Sequence, residues 1–403
     1  MPQPKSKLLA VPGIDFDRSY AGTQYLLEEL CAVFDVTACI FTEKKTQDWY
    51  RRLPIPCRIW PFQGSFWNAG RLRLMSKMFR LYVLARMLAS RYVLITESAY
   101  LREAALAKKL RGRRMVLVQF CQELFLLEEW PAAWTWSATQ KKWGHVPDIV
   151  IDVDPFRARI RKEYYRLKEL PHVLRNTLPY RQLPPRAPSG RLWELAETPP
   201  PPAGAPILVY TGGIFEDKPF DRIVDAVAGL KQNAFLLAFC TGPDALIQHY
   251  RNYAATRLAP GSFCLHRAIS REQLRASLWE ADVGIVDYSY AAIPTQNQRH
   301  CAPTKLYEYM ACGLAILGSN NDSLRDVIER EGIGSCARGD APADLTCALG
   351  EMLRQDLPAM KARAREAFAA RYSYETACVD EVRRIAAEMR RLEPDARDEG
   401  APE

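Results

Sequence analysis

Two charged residues three positions apart, Lys305 and Glu308, have the types and spacing that suit nucleotide chemistry. They lie near the start of a predicted helix, Thr304–Cys312, and the spacing places them on one face of it. The first turn of a helix offers unpaired backbone N–H groups and a positive dipole end. A phosphate suits those N–H groups and Lys305, while a ribose diol suits Glu308. The pattern predicts a nucleotide site, although an ordinary helix with an exposed Lys–Glu pair has the same spacing.

The elements around this helix are predicted from local signals. Pro303 precedes the helix, and Gly313, which tolerates a positive φ, ends it. The apolar run Leu314–Leu317 has the length of a buried parallel strand, and Gly318-Ser319-Asn320-Asn321 ends that strand. This order predicts a helix packed on a parallel sheet.

A second anion site is predicted at a glycine turn earlier in the chain. The strand Ile207–Tyr210 runs into Thr211-Gly212-Gly213, and Lys218 lies just before the helix Phe220–Leu230. Glycines allow backbone N–H groups to approach an anion closely. A tight turn between a strand and a helix, without a ligand, is the alternative.

The string APTKLYEYMACGLAILG, residues 302–318, resembles the donor-binding signature of GT-B glycosyltransferases. It is most similar to the retaining family 4 (group 1) enzymes, whose motif is two glutamates separated by seven residues. Glu308 matches the second glutamate, which in that family holds the nucleotide ribose, whereas His300 stands at the first. The glycine turn resembles the family's glycine-arginine loop; Lys218 matches its downstream lysine, and Gly213 stands at the arginine. The departure at His300 leaves the sugar contact open, and the departure at Gly213 leaves the positive charge to Lys218 and Lys305.

The resemblance implies that Lys218 and Lys305 act on the donor diphosphate and carry the catalytic charge. It also implies no cofactor, no metal and no covalent nucleophile. Ile269, in the loop after a predicted strand, is implied as the contact to the base. The donor-binding residues that it implies are Gly212, Gly213, Ile269, Thr304, Leu306 and Glu308.

Acceptor-side residues are expected at strand ends in the first half of the chain. Strands and helices alternate from Lys7–Val11 onward, without a G-x-G-x-x-G motif, and loops at the carboxyl ends of such strands hold ligands. Gln122-Glu123-Leu124 resembles the family's His-Glu-Leu segment, with glutamine in place of histidine. The acceptor-side candidates are Asp15, Arg18, Gly22 and Glu123.

An Asp-x-Asp pair, Asp152 and Asp154, has the residue types of a metal site on a diphosphate. The pair follows a predicted strand in a chain that otherwise matches metal-free GT-B enzymes. We therefore interpret it as part of the fold and expect no metal.

The length of 403 residues predicts two domains, and the resemblance implies two Rossmann-like α/β domains facing across a cleft. The acceptor-side domain is assigned to residues 1–180 and the donor-binding domain to residues 206–371. Residues 372–392 are predicted as a helix crossing back to the first domain, and residues 393–403 as a disordered tail. Pro179–Pro206 is so rich in proline that no regular element is expected there, and residues 181–205 are assigned as the linker between the domains.

The net charge of +8 is compatible with phosphate-rich substrates or an anionic membrane surface. The predicted basic helix Arg71–Leu88 fits a membrane surface, and equally a packed crossover helix with snorkelling arginines. No apolar run reaches membrane-spanning length, no signal peptide is recognised, and no aromatic interleaving supports nucleic-acid binding. Eleven cysteines without regular spacing favour reduced thiols. These features predict a cytoplasmic protein, and the basic helix leaves open a peripheral position on the inner face of the membrane.

The resemblance implies transfer of a sugar from a nucleotide-sugar to a hydroxyl acceptor, either a saccharide or a lipid-linked one. Synthesis of a surface polysaccharide or glycolipid is the expected setting. One alternative is a nucleotide-sugar 2-epimerase of the same fold, for which Asp15 and Glu123 are the obvious acid/base carboxylates. The other is a non-catalytic donor-binding partner of a transferase, which the departures at His300 and Gly213 favour.

Overall fold

The computed structural model describes residues 5–13, 21–43, 50–51, 53–62, 69–129, 135–216, 220–288 and 295–392. Of the residues singled out above, Asp15, Arg18 and Lys218 lie outside this part of the chain, as does the tail 393–403. The chain divides into two compact units, one formed by Met1–Asn176 with Ala377–Glu403 and the other by Thr177–Thr376.

The first unit is built on a parallel sheet. Within the described residues seven strands lie in the order β3-β2-β1-β4-β5-β6-β7. Strands β4, β5 and β6 are buried throughout, as expected for central parallel strands covered by helices on both faces. The elements are β1 (Lys7–Val11), α1 (Ala21–Leu30), β2 (Asp35–Glu43), β3 (Cys57–Phe62), α2 (Ala69–Leu88), β4 (Tyr92–Thr96), α3 (Leu101–Arg111), β5 (Val116–Cys121), α4 (Thr135–Trp143), β6 (Ile149–Asp152), α5 (Pro155–Tyr165) and β7 (His172–Val173).

The second unit repeats this architecture. Its six described strands lie in the order β10-β9-β8-β11-β12-β13, and every pair is parallel. The elements are α6 (Arg191–Ala196), β8 (Ile207–Gly213), α7 (Asp221–Ala228), β9 (Phe235–Thr241), α8 (Asp244–Arg257), β10 (Phe263–Arg267), α9 (Arg271–Ser277), β11 (Val283–Val286), α10 (Gln296–Arg299), α11 (Thr304–Cys312), β12 (Ala315–Gly318), α12 (Asp322–Ile328), β13 (Gly334–Cys336), α13 (Pro342–Met352) and α14 (Leu357–Ala367). The predicted α/β class with two Rossmann-like sheets is confirmed.

Two helices end the described part of the chain, α15 (Tyr374–Ala377) and α16 (Val379–Arg391). Helix α16 belongs to the first unit, where Val382, Ile385 and Met389 are buried and the helix contacts α1 and β7. The sequence predicted one helix over residues 372–392, whereas Cys378 separates two.

The expectation that Pro179–Pro206 contains no regular element is wrong. Helix α6 lies inside it, with Leu192 and Trp193 buried in the core of the second unit. The Glu280 carboxylate accepts hydrogen bonds from the N–H groups of Gly190 and Leu192 at the start of this helix. Apolar burial and this carboxylate stabilise a helix that the surrounding prolines, which lie outside it, do not prevent.

The eleven cysteines, all within the described part of the chain, form no disulfide. No helix among the described residues is long and apolar enough to span a membrane.

Candidate functional site

The candidate donor site lies at the carboxyl ends of β8 and β11. These neighbouring parallel strands flank the point where the strand order reverses, and open α/β sheets bind ligands outside the strand ends at such a point. Strand β8 ends in Gly212-Gly213, and Asp287 follows β11. The glycine turn predicted from the sequence therefore lies at the switch point of the second sheet.

Helix α11 has the bounds that the sequence predicts, and Tyr309 connects it to Thr211 near the end of β8. The Tyr309 hydroxyl accepts a hydrogen bond from the Thr211 N–H at 2.8 Å and lies 3.0 Å from Thr211 Oγ1. A β-carbon at Gly284 on β11 would lie only 2.3 Å from the Tyr309 ring, so glycine is required for this close packing. Burial raises the pKa of the Tyr309 phenol, which therefore stays neutral. One buried tyrosine thus sets the distance between the signature helix and the glycine turn.

The Lys305 ammonium group lies against the glycine turn, between two aromatic rings. Its Nζ is 4.4 Å from the centre of the Tyr210 ring and 5.1 Å from that of Tyr288. A β-carbon at Gly212 would lie 2.9 Å from this nitrogen. Aromatic faces stabilise a cation without neutralising its charge. The structure therefore brings Lys305 and Gly212 together, and it adds Tyr210 and Tyr288, which sequence reasoning missed although both lie at strand ends.

Gly213, at the position of the family's arginine, has no room for a side chain in the observed arrangement. A β-carbon there would lie 2.3 Å from Cε2 of Phe215. The Gly213 carbonyl accepts a hydrogen bond from the Tyr210 hydroxyl at 3.0 Å, which holds the turn in place. The Phe215 ring, 41% exposed, thus occupies the space beside the turn that a side chain at 213 would enter.

Glu308 is held by an arginine that the sequence did not indicate. Both Nε and Nη2 of Arg275 donate to Oε1 of Glu308, at 3.0 and 2.6 Å. Both side chains are only 13% exposed. The two residues are 33 positions apart, so no local pattern could have paired them.

The side chains of the remaining donor-side candidates differ in how far they are exposed. Ile269 follows β10 and is half-buried against the core, and Thr304, the first residue of α11, is also half-buried. The Leu306 side chain is buried in the core, and its N–H donates to the Pro303 carbonyl at 3.3 Å. Ile269 and Thr304 therefore keep some accessible surface, whereas the Leu306 side chain is a packing residue.

His300, at the position of the family's first glutamate, is buried near an acidic residue. Its Nδ1 lies 3.9 Å from Oδ2 of Asp322, the first residue of α12. Asp287 forms a buried ion pair with Arg222 of α7 at 3.2 Å. The Arg222 guanidinium is therefore already paired with a carboxylate.

In the first unit, the structure brings Gly22 next to the segment that follows β5. A β-carbon at Gly22 would lie 3.5 Å from Nε2 of Gln122 and 3.7 Å from Oδ1 of Asn176. Gln122, at the position of the family's histidine, is buried, and its Nε2 has no hydrogen-bond acceptor among the described residues. Glu123, one-third exposed, has its carboxylate 3.6 Å from Nη1 of Arg157.

Glu97 accepts hydrogen bonds from the backbone of the segment that follows β5, and no role was predicted for it from the sequence. It follows β4 with a φ of 52°, and its Oε1 accepts hydrogen bonds from the N–H groups of Gln122 at 2.5 Å and Glu123 at 3.0 Å. Burial, followed by the charge of Glu123, raises the pKa of Glu97 from its ordinary value to about 8. An acidic residue directly after a buried strand was the signal that could have identified it.

The Asp152 and Asp154 carboxylates are used within the fold, as interpreted from the sequence. Asp152 forms a fully buried ion pair with Arg161 at 2.7 Å, and Asp154 caps α5 by accepting from the N–H groups of Phe156 and Arg157. The residues that the structure describes contain no group of three or more His, Cys, Asp or Glu side chains arranged to hold a metal ion.

Residues 193–371 match the family of glycosyl transferases group 1. No curated protein sequence matches the chain. Among solved structures, Anabaena HepE in complex with UDP-glucose is 12% identical, with a TM-score of 0.69 over 96% of this chain and 99% of HepE. Sucrose-phosphate synthase from Thermosynechococcus elongatus is 16% identical, with a TM-score of 0.69 over 96% of this chain and 99% of the synthase.

A glycosyltransferase from Rickettsia africae is 14% identical, with a TM-score of 0.69 over 98% of this chain and 100% of that protein. At these identities the structural likeness establishes the fold, and the family match covers the unit that carries Lys305 and Glu308. Residues 193–371 therefore match the group 1 glycosyl transferase family, and the structural likeness assigns the chain to the GT-B fold.

Proposed function

We propose that this protein is a glycosyltransferase that transfers a hexosyl or related sugar from a nucleotide-sugar to a lipid-linked or saccharide hydroxyl, without a metal ion. The observation that carries the proposal is the Lys305 ammonium group beside the Gly212-Gly213 turn, within the group 1 domain. A cation, a glycine turn and a helix amino terminus at one strand edge are the groups that bind a diphosphate. HepE was solved with UDP-glucose, so a uridine nucleotide is the first donor to test.

We assign to Lys305 the positive charge that stabilises the departing diphosphate. As the sugar departs, negative charge grows on the diphosphate, and a fixed cation stabilises that charge more in the transition state than in the ground state. The rings of Tyr210 and Tyr288 hold the ammonium group in place before the donor arrives. Lys218 is assigned to the same diphosphate from the sequence alone, and Glu308 to the ribose.

Metal independence is supported by how the carboxylates are used. Asp152 and Asp154 are committed to Arg161 and to the start of α5, so they are not available to hold a divalent ion on a diphosphate. Lys305 supplies positive charge at the donor site in its place.

A membrane-bound acceptor is supported by the exposed face of α2. Leu74, Met78 and Leu81 are 59%, 51% and 68% exposed, and their spacing of four and three residues places them on one face. Arg73 and Lys77 are exposed on the same helix. Apolar side chains flanked by cations suit the surface of an anionic bilayer. Together with eleven cysteines that form no disulfide, this face supports a cytoplasmic enzyme at the inner side of a membrane, acting on a lipid-linked acceptor in polysaccharide or glycolipid synthesis.

The experiment is turnover of UDP-glucose and a panel of other nucleotide-sugars, with membrane lipid extract as acceptor, followed by mass spectrometry. Release of nucleotide with a glycosylated lipid supports the proposal. A nucleotide-sugar inverted at C2 identifies an epimerase instead, and binding without turnover identifies a non-catalytic partner. Activity that EDTA abolishes and manganese or magnesium restores would contradict metal independence.

A further inference from the structure

The Arg275–Glu308 pair has an asymmetric geometry. Two guanidinium nitrogens of Arg275 converge on a single oxygen, Oε1 of Glu308. No described residue donates a hydrogen bond to the other oxygen, Oε2. A bidentate fork–fork pair would have used both oxygens. The observed arrangement therefore fixes the carboxylate while one of its oxygens keeps its capacity to accept a hydrogen bond.

The pair is shielded from water, so it constrains Glu308 more than a surface ion pair would. Both side chains are 13% exposed, and a charge-assisted hydrogen bond strengthens as solvent is excluded. A carboxylate only accepts hydrogen bonds and thus complements the hydroxyl donors of a ribose.

The backbone that carries Arg275 is itself anchored to the signature helix and to the base loop. The Cys312 thiol at the end of α11 donates to the Arg275 carbonyl at 3.4 Å. Ser270 caps α9 by accepting from the Gln273 N–H at 3.2 Å, directly after Ile269, the candidate base contact. Helix α9 thus joins the loop assigned to the base with the helix assigned to the ribose.

We infer that Arg275 is a positioning residue that orients Glu308 toward the ribose and makes the site selective for ribonucleotide donors over deoxyribonucleotide donors. The inference rests on the proposed function, because it takes Glu308 as the ribose contact. Arg275 acts through Glu308 and not on the reacting atoms.

The experiment measures, by calorimetry on the full-length chain, the dissociation constants of UDP and its 2′-deoxy and 3′-deoxy analogues. The variants are Arg275→Ala, Arg275→Lys, Glu308→Ala and the Arg275→Ala/Glu308→Ala double variant. Lys361→Ala is the matched control, because it removes another partly buried ion pair of the same unit, with Asp282 at 2.9 Å, at the opposite strand ends. Melting temperatures verify folding, and Arg275→Lys carries the test if the alanine variant does not fold.

We expect Arg275→Ala to weaken UDP binding about tenfold, because one charge-assisted hydrogen bond to the ribose is then misplaced. Binding of the deoxy analogue that lacks the recognised hydroxyl should weaken less than about twofold, because that analogue does not form this hydrogen bond. Arg275→Lys should fall between wild type and alanine. The double variant should bind no more weakly than Glu308→Ala alone, since both changes remove one contact.

Equal weakening of UDP and both deoxy analogues in Arg275→Ala, or an effect matched by Lys361→Ala, would assign Arg275 a structural role and overturn the inference. A wild type that binds UDP without distinguishing its deoxy analogues would overturn the inference and leave the proposed function standing. A wild type that binds neither UDP, ADP nor GDP would overturn both.

Discussion

At the scale of single residues, the two side chains that we assign to the donor are each held by neighbouring side chains. Tyr210 and Tyr288 hold the Lys305 ammonium group, and Arg275 holds Glu308. Preorganised groups stabilise developing charge without reorganising during the reaction, and this is where most electrostatic catalysis originates. On the proposed function, Tyr210, Tyr288 and Arg275 therefore contribute by fixing the groups that they contact.

Replacing Lys305 should separate catalysis from binding. We expect Lys305→Ala to lower turnover roughly 10- to 150-fold, the equivalent of one charge-assisted contact of about 1.5–3 kcal/mol, with a smaller effect on nucleotide affinity. Glu308→Ala should act chiefly on donor affinity, because its contact is present in both ground and transition states. Lys218→Ala is expected to resemble Lys305→Ala. Calorimetry beside turnover measures both quantities; wild-type behaviour of the Lys305 and Glu308 variants would place the site elsewhere.

Glu97 should make the stability of the protein depend on pH. Its pKa is raised in the folded state to about 8, so the folded protein binds more protons than the unfolded chain between the ordinary value of 4.5 and about 8. The contribution of Glu97 is therefore fully present below pH 4.5 and is lost as pH rises toward 8, with a slope of at most about 1.4 kcal/mol per pH unit.

The measurement is the difference in free energy of unfolding between wild type and Glu97→Gln, from urea titrations at pH 4.5 to 9. The amide is uncharged at every pH and retains an oxygen for the Gln122 and Glu123 N–H groups, so the wild type should lose stability relative to the variant as pH rises. A difference that stays constant with pH would show that Glu97 titrates normally.

At the scale of elements, the relation between α11 and the end of β8 decides whether Lys305 meets the glycine turn. That relation depends on Tyr309, whose ring packs against Gly284 and whose hydroxyl reaches Thr211. A helix placed by a single buried hydrogen-bonded tyrosine is sensitive to the loss of one atom, because the partner N–H then lies buried without an acceptor.

Removing the Tyr309 hydroxyl should therefore affect both stability and activity. We expect Tyr309→Phe to lower the free energy of unfolding by about 1–3 kcal/mol and to reduce turnover, since Lys305 loses its fixed distance from Gly212. Tyr253→Phe is the control, as it removes a tyrosine hydroxyl bonded to Asp225 at the surface of the same unit. Unchanged turnover in Tyr309→Phe would show that α11 is positioned by packing alone.

Helix α2 combines the two interpretations that its sequence allowed. Phe79 and Met87 are buried as in a packed crossover helix, while Leu74, Met78 and Leu81 remain exposed.

We expect the wild type to bind vesicles containing anionic phosphatidylglycerol and to dissociate in salt, because exposed charges are screened. The variant Arg73→Glu/Lys77→Glu should lose binding, and Leu74→Ser/Leu81→Ser should weaken it at any salt concentration. Arg80 is left in place because it is paired with Glu103. A wild type that does not bind these vesicles at low salt would leave α2 a structural helix.

At the scale of the whole molecule, the chain ends in the unit where it began. Helix α16 packs in the first unit, and His172 of β7 contacts two of its carboxylates, Glu381 at 2.6 Å and Glu388 at 3.0 Å. These contacts join residues more than 200 positions apart, so the first unit is complete only when nearly all of the chain has been synthesised.

Loss of this contact should loosen the first unit selectively. We expect His172→Ala to cost about 1–3 kcal/mol, because two partly buried carboxylates lose a partner, and to raise amide hydrogen exchange in α16 and β7. Exchange in the second unit should be unchanged. Arg383→Ala is the control, since it removes an exposed pair with Asp380 on the same helix. Faster exchange throughout both units would show that the two unfold together.

The sequence alone determined what depends on neighbouring residues. The bounds of α11 follow from Pro303 before it and from Gly313 after it, which takes a φ of 74° that other residues resist. The two parallel sheets follow from the alternation of short apolar runs with helical periodicity, and Lys305 and Glu308 share a face because of helix geometry. The missed helix α6 shows the limit, since its stability depends on Glu280, about 90 residues away.

Only the tertiary structure decided which side chains meet across long stretches of sequence. Two ion pairs, Arg275–Glu308 and Asp152–Arg161, became visible only in the fold. The same is true of the hydrogen bonds from Glu97 to the segment after β5 and of the packing of Phe215 against Gly213. Such contacts depend on strand order and on the packing of helices against the sheet, neither of which leaves a periodic trace along the chain. The candidate site residues could therefore be proposed from motifs, whereas the partners that orient their side chains required the fold.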